Sequence, residues 1–159
     1  MPLKKYIYKR KKSKMEASQE FQVDLHWHEN QKAILSAVIF NDAIEVASYS
    51  CLKKSDEAAW SAEHLFIASV ASSYMTGFFR AAKNKGLTFK NYTSTARASI
   101  LISDEFSEIT DIVIKPIVVI AEKNKINRVL KILSICRDHS LVLKALKVRL
   151  HIFPSVIIS

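Results

Sequence analysis

With 159 residues, the sequence has the usual length of a single domain. It is 49% hydrophobic and 25% charged, so it has enough apolar residues for a sizeable core. It contains no apolar run of about 18 residues and no basic-then-apolar leader. We therefore expect neither a membrane span nor export, and we expect a cytoplasmic protein. The two cysteines, Cys51 and Cys136, are too few for a disulfide framework and lack the paired spacing of a zinc site. No metal and no cofactor are expected.

Most of the net charge of +9 lies in a basic arm, residues 1–18. Basic side chains and two tyrosines precede the first acid, Glu16: Lys4, Lys5, Tyr6, Tyr8, Lys9, Arg10, Lys11, Lys12 and Lys14. Like charges this dense repel one another, which predicts a solvated terminus outside the folded domain, residues 19–159. The alternative is that residues 4–14 bind nucleic acid or another anionic surface, because lysines track phosphates and aromatic rings stack on bases.

The N-terminal part of the domain has the pattern of three strands. Phe21, Val23, Leu25 and Trp27 alternate with polar residues, which is typical of a half-buried strand. Residues 33–40 and 43–48 form two further apolar runs, each preceded by a polar turn. The sequence therefore predicts an antiparallel meander.

The rest of the chain predicts two helices and three strands. Apolar residues recur at helical spacing over residues 61–85, with Ser61 as the expected N-cap and Gly86 as the expected stop. Strands are predicted over residues 92–102 and 109–120, and a last strand ends near residue 152. A second helix, residues 123–137, places Cys136 on its apolar face.

The stretch that opens the first predicted helix resembles a known family. It reads Ser61-Ala62-Glu63-His64-Leu65-Phe66-Ile67-Ala68-Ser69-Val70-Ala71-Ser72-Ser73. It is similar to the motif that opens the central helix in the osmotically inducible protein C and organic hydroperoxide resistance (OsmC/Ohr) family. The resemblance extends from Phe21 to about Ile152 and includes Phe-x-Val-x-Leu-x-Trp, then Ile109-Thr110-Asp111-Ile112, and a cysteine that ends the second helix. It implies an α+β fold in the order βββ-α-ββ-α-β, with antiparallel sheets packed around a long central helix. It also implies an intertwined homodimer, in which the N-terminal strands of one chain join the sheet of the other.

The resemblance also implies a site chemistry that this sequence departs from. In the family, a peroxidatic cysteine attacks the peroxide, a second cysteine resolves the sulfenic acid, and a glutamate and an arginine polarise the site. By position, Glu63 matches the glutamate and Cys136 the resolving cysteine, while Ser73 stands where the attacking cysteine belongs. A serine hydroxyl stays protonated at neutral pH, so it supplies no anionic nucleophile. It also cannot form a sulfenate or a disulfide.

Two further positions depart from the family pattern, and the family arginine has no clear counterpart in this sequence. Ala62 replaces a proline, and Arg137 follows Cys136 where many members have proline. Lys53 and Lys54 lie in the loop where the family arginine is expected, but lysine lacks the planar fork of donors.

The same residues have structural interpretations that the sequence leaves open. Glu63 can complement the helix dipole or complete a capping arrangement, and Cys136 can be a small buried hydrophobe. Cys51 is the better candidate for an exposed thiol. His26 and His28 share a strand face but lack an evident third metal ligand. The run 138–140 has the residue types of a catalytic triad but reads as a turn that caps the following segment.

The sequence leaves three hypotheses about the function of the protein. The favoured hypothesis is a divergent family member without classical thiol peroxidase activity that keeps an apolar pocket for a small molecule. The enzyme alternative is an organic hydroperoxide reductase that uses Cys136 or Cys51 as a single thiol with an external reductant. The third is a protein that binds nucleic acid or an anionic surface through residues 4–14.

Overall fold

The computed structural model describes residues 20–27, 32–48, 59–104 and 106–159. Two short 3₁₀ turns, Lys123–Lys125 and Cys136–His139, flank the second helix. In chain order the helices and strands are β1 (Asp24–Trp27), β2 (Lys32–Ser36), β3 (Ile44–Ala47), α1 (Ala62–Asn84), β4 (Asn91–Ile102), β5 (Ser107–Ile120), α2 (Ile126–Ile135), α3 (Leu141–Ala145), β6 (Arg149–Ile152) and β7 (Ser155–Ile158).

The strands form two sheets. In the first, β1, β2 and β3 pair antiparallel in sequence order, as the predicted meander requires. In the second, β5 is central, with β4 antiparallel to it and with β6 and β7 parallel to it. A parallel neighbour needs a long crossover connection, and α2 and α3 supply it between β5 and β6. The predicted α+β fold is confirmed.

Both ends of α1 are fixed by the residues that the sequence indicates. The Ser61 hydroxyl accepts a hydrogen bond from the His64 backbone N–H, so Ser61 is the N-cap. Gly86 has a φ of 58°, and the N–H of Leu87 donates to the Ala82 carbonyl at 2.9 Å. This is the usual stop in which glycine takes the left-handed conformation without strain. The helix predicted over residues 61–85 is therefore confirmed.

The core lies between one face of α1, the inner face of β5 and the helix α2. The residues buried in it are Val70, Tyr74, Phe78, Ala81, Ala82, Leu87, Ile112, Ile114, Val118, Ile120, Val129, Ile132, Leu133, Cys136 and Leu143. Within this core the Tyr74 hydroxyl donates to the Leu133 carbonyl at 2.7 Å, which ties α1 to α2. A buried hydroxyl without such a partner would cost about 1–3 kcal/mol. The middle of α1 is thereby held in a fixed position against α2.

The N-terminal meander is shorter and more exposed than the alternation predicts. β1 begins only at Asp24, and in the single chain the side chains of Phe21 and Trp27 are 85% and 78% exposed. β2 ends at Ser36, so the strand predicted over residues 33–40 is too long. Because Leu35 pairs with Ile44, the chain has to reverse direction between these two residues. The reversal is a turn in which the Phe40 N–H donates to the Ala37 carbonyl at 3.0 Å.

Two short elements near the C-terminus are missing from the predicted order. α3 has five residues and β7 has four, too few to establish a periodicity in the sequence. β7 pairs with the end of β5 that β6 leaves free, so that Ser155 lies opposite Ile117. The predicted order ended at one final strand and was wrong on this point.

Gly77 lies where α1 packs against the backbone of the turn after α2. A Cβ at this position would lie 3.0 Å from the Cys136 carbonyl oxygen and 3.8 Å from the Cys136 Cβ. Alanine normally favours a helix over glycine by about 1 kcal/mol, but here the added methyl would push on backbone atoms. We expect Gly77→Ala to destabilise the fold by about 1–3 kcal/mol in a denaturant titration.

Thr76→Ala, one residue earlier on an exposed face, is the control and should change the free energy of unfolding by less than about 0.5 kcal/mol. If Gly77→Ala were instead stabilising, helix propensity would outweigh the contact, and the close packing of α1 on Cys136 would be refuted.

Candidate functional site

The first turn of α1 is organised by Ser61 and His64. The Ser61 hydroxyl lies 2.9 Å from His64 Nδ1, and the Ser61 N–H donates to the same nitrogen at 3.4 Å. The Ser61 side chain thus binds the backbone N–H of His64, and the His64 side chain binds the backbone N–H of Ser61, which is the reciprocal arrangement of a capping box. Since His64 fills this role, Glu63 is not the residue that completes the cap.

Glu63 is a partly buried acid in the same turn. The Ser61 hydroxyl, followed by the backbone N–H of Glu63 itself, lowers the pKa of the Glu63 carboxyl below its usual value. The carboxyl therefore stays ionised at neutral pH, at the positive end of the helix dipole. It supplies a fixed negative charge rather than a proton.

Glu63 borders a cavity of about 560 Å³ between the N-terminal half of α1 and β4. Small and aliphatic side chains make up most of its wall, and the polar groups come from Glu63, His64 and Arg97. The complete lining is Trp60, Glu63, His64, Ile67, Ala68, Ala71, Ala96, Arg97, Ala98 and Ile100. An apolar wall with a few polar groups is typical of a small-molecule site, and the volume lies in the usual range.

Ser73 lies in the middle of α1 and faces away from this cavity. Its hydroxyl lies 2.6 Å from the Ser140 hydroxyl, across the contact between α1 and α3. Ser140 is the N-cap of α3 and accepts the Leu143 N–H at 3.1 Å, so the predicted capping turn over residues 138–140 is confirmed. Ser73 lines a second, smaller cleft, and Glu63 lines only the first.

Cys136 is fully buried in the core at the end of α2. Its thiol donates to the Ile132 carbonyl at 3.0 Å, and burial raises the pKa of the Cys136 thiol to about 12. A thiol in this setting is almost entirely protonated at neutral pH and is a poor nucleophile. Its backbone and Cβ contact Gly77, one helical turn from Ser73, which is a rise of about 6 Å along α1.

Several sequence predictions fall outside the described residues. These are the basic arm, Cys51, His28 and the two lysines, Lys53 and Lys54. Within the described part of the chain, no group of three His, Cys, Asp or Glu side chains lies close enough to hold a metal ion. Among the described residues, no helix is both long and apolar enough to cross a membrane.

Sequence reasoning missed two residues that these sites contain. Arg97 lines the cavity beside Glu63, although a single arginine in a strand of alternating small residues gives no distinctive signal. Ser140 was interpreted only as a cap, and its contact with Ser73 joins residues 67 positions apart in sequence. Only the packing of α3 on α1 brings these hydroxyls together.

The chain belongs to the OsmC-like family. The family described as "OsmC-like protein" matches residues 54–152, more than half of the chain and the part that carries α1 and the strands β4, β5 and β6. A comparison with curated proteins found no match.

Solved structures support the same fold at low sequence identity. An OsmC-like protein of unknown function from Vibrio cholerae superposes with a TM-score of 0.74 at 15% identity and covers 88% of this chain and 100% of its own. An organic hydroperoxide resistance protein OsmC from Legionella pneumophila gives 0.67 at 12% identity, with 90% and 100% covered. The organic hydroperoxide resistance protein OhrB of Bacillus subtilis gives 0.63 at 9% identity, with 86% and 98% covered. At these identities the likeness establishes the fold alone.

Proposed function

We propose that this protein is a divergent OsmC-like protein that lacks classical thiol peroxidase activity and binds an apolar small molecule in the cavity between α1 and β4. One observation carries the proposal. Ser73 occupies the position where the family resemblance puts the attacking cysteine, and Cys136, the one cysteine among the described residues, is buried with a pKa of about 12. Neither group can supply a thiolate at neutral pH.

The proposed context is the response to organic hydroperoxides. Three of the solved structures that share the fold are organic hydroperoxide resistance proteins. This chain would keep their kind of pocket while losing the thiol chemistry. A single-thiol reductase that uses Cys136 is disfavoured by the burial of that thiol, since a peroxide would first have to reach the core.

A homodimer is also part of the proposal. In the described residues, β4 pairs only with β5, so its other edge is open over twelve residues. An open edge of this length invites another strand, and the exposed meander of a second copy offers one. Within the described residues, the meander pairs with the rest of its own chain through an isolated β-bridge between Val46 and Trp60. In this bridge the Ala47 N–H donates to the Trp60 carbonyl at 2.8 Å.

The cavity is tested with dodecanoate as the apolar probe. Trp60 lines the cavity, so its fluorescence should change as the probe binds. Ala71→Phe places a ring in the cavity, and we expect it to raise the dissociation constant for dodecanoate at least about tenfold, which is about 1.4 kcal/mol of binding free energy.

Ala145→Phe makes the same substitution at an exposed position of α3 and should leave the dissociation constant unchanged within about twofold. Calorimetry gives a second readout that does not depend on tryptophan. Equal effects of both substitutions, or no saturable binding to the unsubstituted protein, would refute the cavity as a ligand site.

A further inference from the structure

Charge is distributed unevenly along the folded domain. The sequence has no acid from residue 64 to residue 103, and Glu122 is the one acid from residue 112 to residue 137. These two stretches supply most of α1, all of β4, most of β5 and all of α2. Acids elsewhere in the chain balance much of their positive charge. The small net charge outside the basic arm therefore hides a separation of charge within the domain.

The C-terminal end of α1 and the N-terminal end of α2 meet at one end of the domain. Lys85 is the C-cap of α1, and its carbonyl accepts a hydrogen bond from the Arg128 guanidinium of α2. At the same end of the sheet, the Lys90 N–H donates to the Val119 carbonyl at 2.7 Å, where β4 begins and β5 finishes. Five exposed cations belong to these ends of α1 and α2, which we call the basic end: Lys83, Lys85, Lys123, Arg128 and Lys131.

Three of these side chains share one concave surface, the basic cleft. Lys85, Arg128 and Lys131 line it, its volume is about 230 Å³, and Ile132 completes its wall. Arg128 and Lys131 are three residues apart on α2, and residues at this spacing are neighbours on one helix face. The bond from Arg128 to the Lys85 carbonyl holds the end of α1 against that face. The three positive charges are therefore brought together by a direct contact and by helix geometry.

No acid neutralises the basic end. Within the described residues, none of its five cations forms an ion pair, and the nearby acid, Glu122, pairs with Lys125 instead. Like charges on neighbouring positions of a helix face destabilise the helix slightly, by about 0.2–0.5 kcal/mol per pair. An anion that binds in the basic cleft removes this repulsion, so the charge of the cleft favours a negatively charged partner.

We propose that the basic end, centred on the basic cleft, binds the phosphate backbone of a nucleic acid. A nucleic acid presents closely spaced negative charges, about one per 1.7 Å of duplex axis, so one molecule can contact all three cations of the cleft. The planar guanidinium of Arg128 matches the geometry of a phosphate group. The apolar residue of the cleft, Ile132, is only 1% exposed, so the cleft offers no apolar side chain for insertion into a lipid bilayer. This surface lies on the folded domain and is distinct from the basic arm.

The proposal is tested with the full-length protein and a fluorescein-labelled DNA duplex of about 20 base pairs, by anisotropy between about 50 and 200 mM KCl. The logarithm of the binding constant should fall linearly with the logarithm of the salt concentration. Replacing Lys85, Arg128 and Lys131 together with glutamine should reduce the steepness of this line by about 0.9 per lost phosphate contact, or about 2.7 in all. The same variant should bind at least about tenfold more weakly at the middle of the salt range.

The pair Lys85→Gln and Lys131→Gln leaves Arg128 and its bond to α1 in place. It should still reduce the steepness by about 1.8, and thermal melts establish that each variant is folded. Lys115, Lys144 and Lys147 provide the matched control, because all three are exposed and none lines the basic cleft. Replacing these three lysines with glutamine removes the same charge and should change the steepness by less than about one and the affinity by less than about threefold.

Four results would overturn the proposal. The first is no binding of the duplex by the unsubstituted protein at the lowest salt concentration, and the second is an equal loss in the control and in the cleft variants. The third is binding that survives in the cleft variants but disappears when the lysines and the arginine of the basic arm are replaced with glutamine in the full-length chain. The fourth is unchanged DNA binding by the cleft variants together with lost binding to phosphatidylserine vesicles, which would assign the basic end to a lipid surface.

Discussion

Replacing Ser73 with cysteine is expected to create organic hydroperoxide reductase activity at least about tenfold above that of the unsubstituted protein. The substitution changes one atom at a half-buried position of α1, so the fold should tolerate it. A thiolate at this position can break the peroxide O–O bond and become a sulfenic acid while the alcohol leaves. A serine hydroxyl cannot take this step.

The gain should nevertheless fall short of a fully equipped thiol peroxidase. Peroxide attack needs stabilisation of the departing oxygen as well as a thiolate. Ala62 replaces the family proline, and no arginine among the described residues lines the cleft at Ser73 except Arg80. Activity is measured as the loss of cumene hydroperoxide with dithiothreitol as reductant, in a Cys51→Ser background, so that Cys136 is the one other thiol in the chain.

The residue that resolves the sulfenic acid can be identified in the same experiment. The family resemblance assigns Cys136, but the contact seen from Ser73 is with Ser140, and Cys136 lies beside Gly77. Because a disulfide needs Cβ atoms about 3.5–4.5 Å apart, the double variant S73C/S140C should form an internal disulfide faster than S73C alone. Intact mass shows this as the loss of two hydrogen atoms.

S73C/C136S is the control for this assignment. It should keep most of the gained peroxide consumption, while any slower disulfide of S73C disappears. If S73C alone formed a disulfide with Cys136 as fast as the double variant closes its own, then Cys136 would be the resolving thiol, despite its burial.

Sedimentation is expected to give twice the mass of one chain, and a charge on the apolar face of β1 should dissociate this dimer. Leu25 and Trp27 lie on that face and are exposed in the single chain. Burying such a side chain contributes about 1.5–3 kcal/mol, and in a twofold dimer each substitution occurs twice. Trp27→Glu should therefore raise the dimer dissociation constant at least about 100-fold.

His26→Glu is the matched control, because His26 lies on the same strand with its side chain on the opposite face. It should shift the dissociation constant less than about tenfold. A clean monomer of the unsubstituted protein at micromolar concentration would contradict the dimer and the strand exchange.

The sequence was most informative where a local rule determines the structure. The limits of α1 follow from Ser61 and Gly86, whose side chain and missing side chain act on the nearest backbone groups. β4 and β5 follow from long alternating runs, and the predicted strand over residues 109–120 lies within Ser107–Ile120. These features need no knowledge of the rest of the chain.

It was least informative where distant contacts decide. Val38 and Ile39 have strong strand propensity, yet the register that pairs Leu35 with Ile44 places them in a turn. The exposed apolar face of β1 reflects a strand that has nothing to pack on within the described single chain. The alternation predicts which side chains share a face but not which surface covers them.

The candidate site divides in the same way. The motif predicted Glu63 and Ser73 on one helix, but Glu63 lines the cavity between α1 and β4, whereas Ser73 lines the smaller cleft between α1 and α3. Arg97 and Ser140 join them from other elements, and no local pattern marks either residue. The predicted roles of Ser73, Glu63 and Cys136 stay predictions until the variants are made.

The most direct test is the rate at which the unsubstituted protein consumes cumene hydroperoxide, compared with Cys136→Ser and with an equal concentration of free thiol. Because burial raises the pKa of the Cys136 thiol to about 12, this thiol is almost entirely protonated at pH 7. We therefore predict that the protein reacts no faster than the free thiol and that Cys136→Ser leaves the rate unchanged. Rapid consumption that Cys136→Ser abolishes would show an active single-thiol peroxidase and contradict the proposed function.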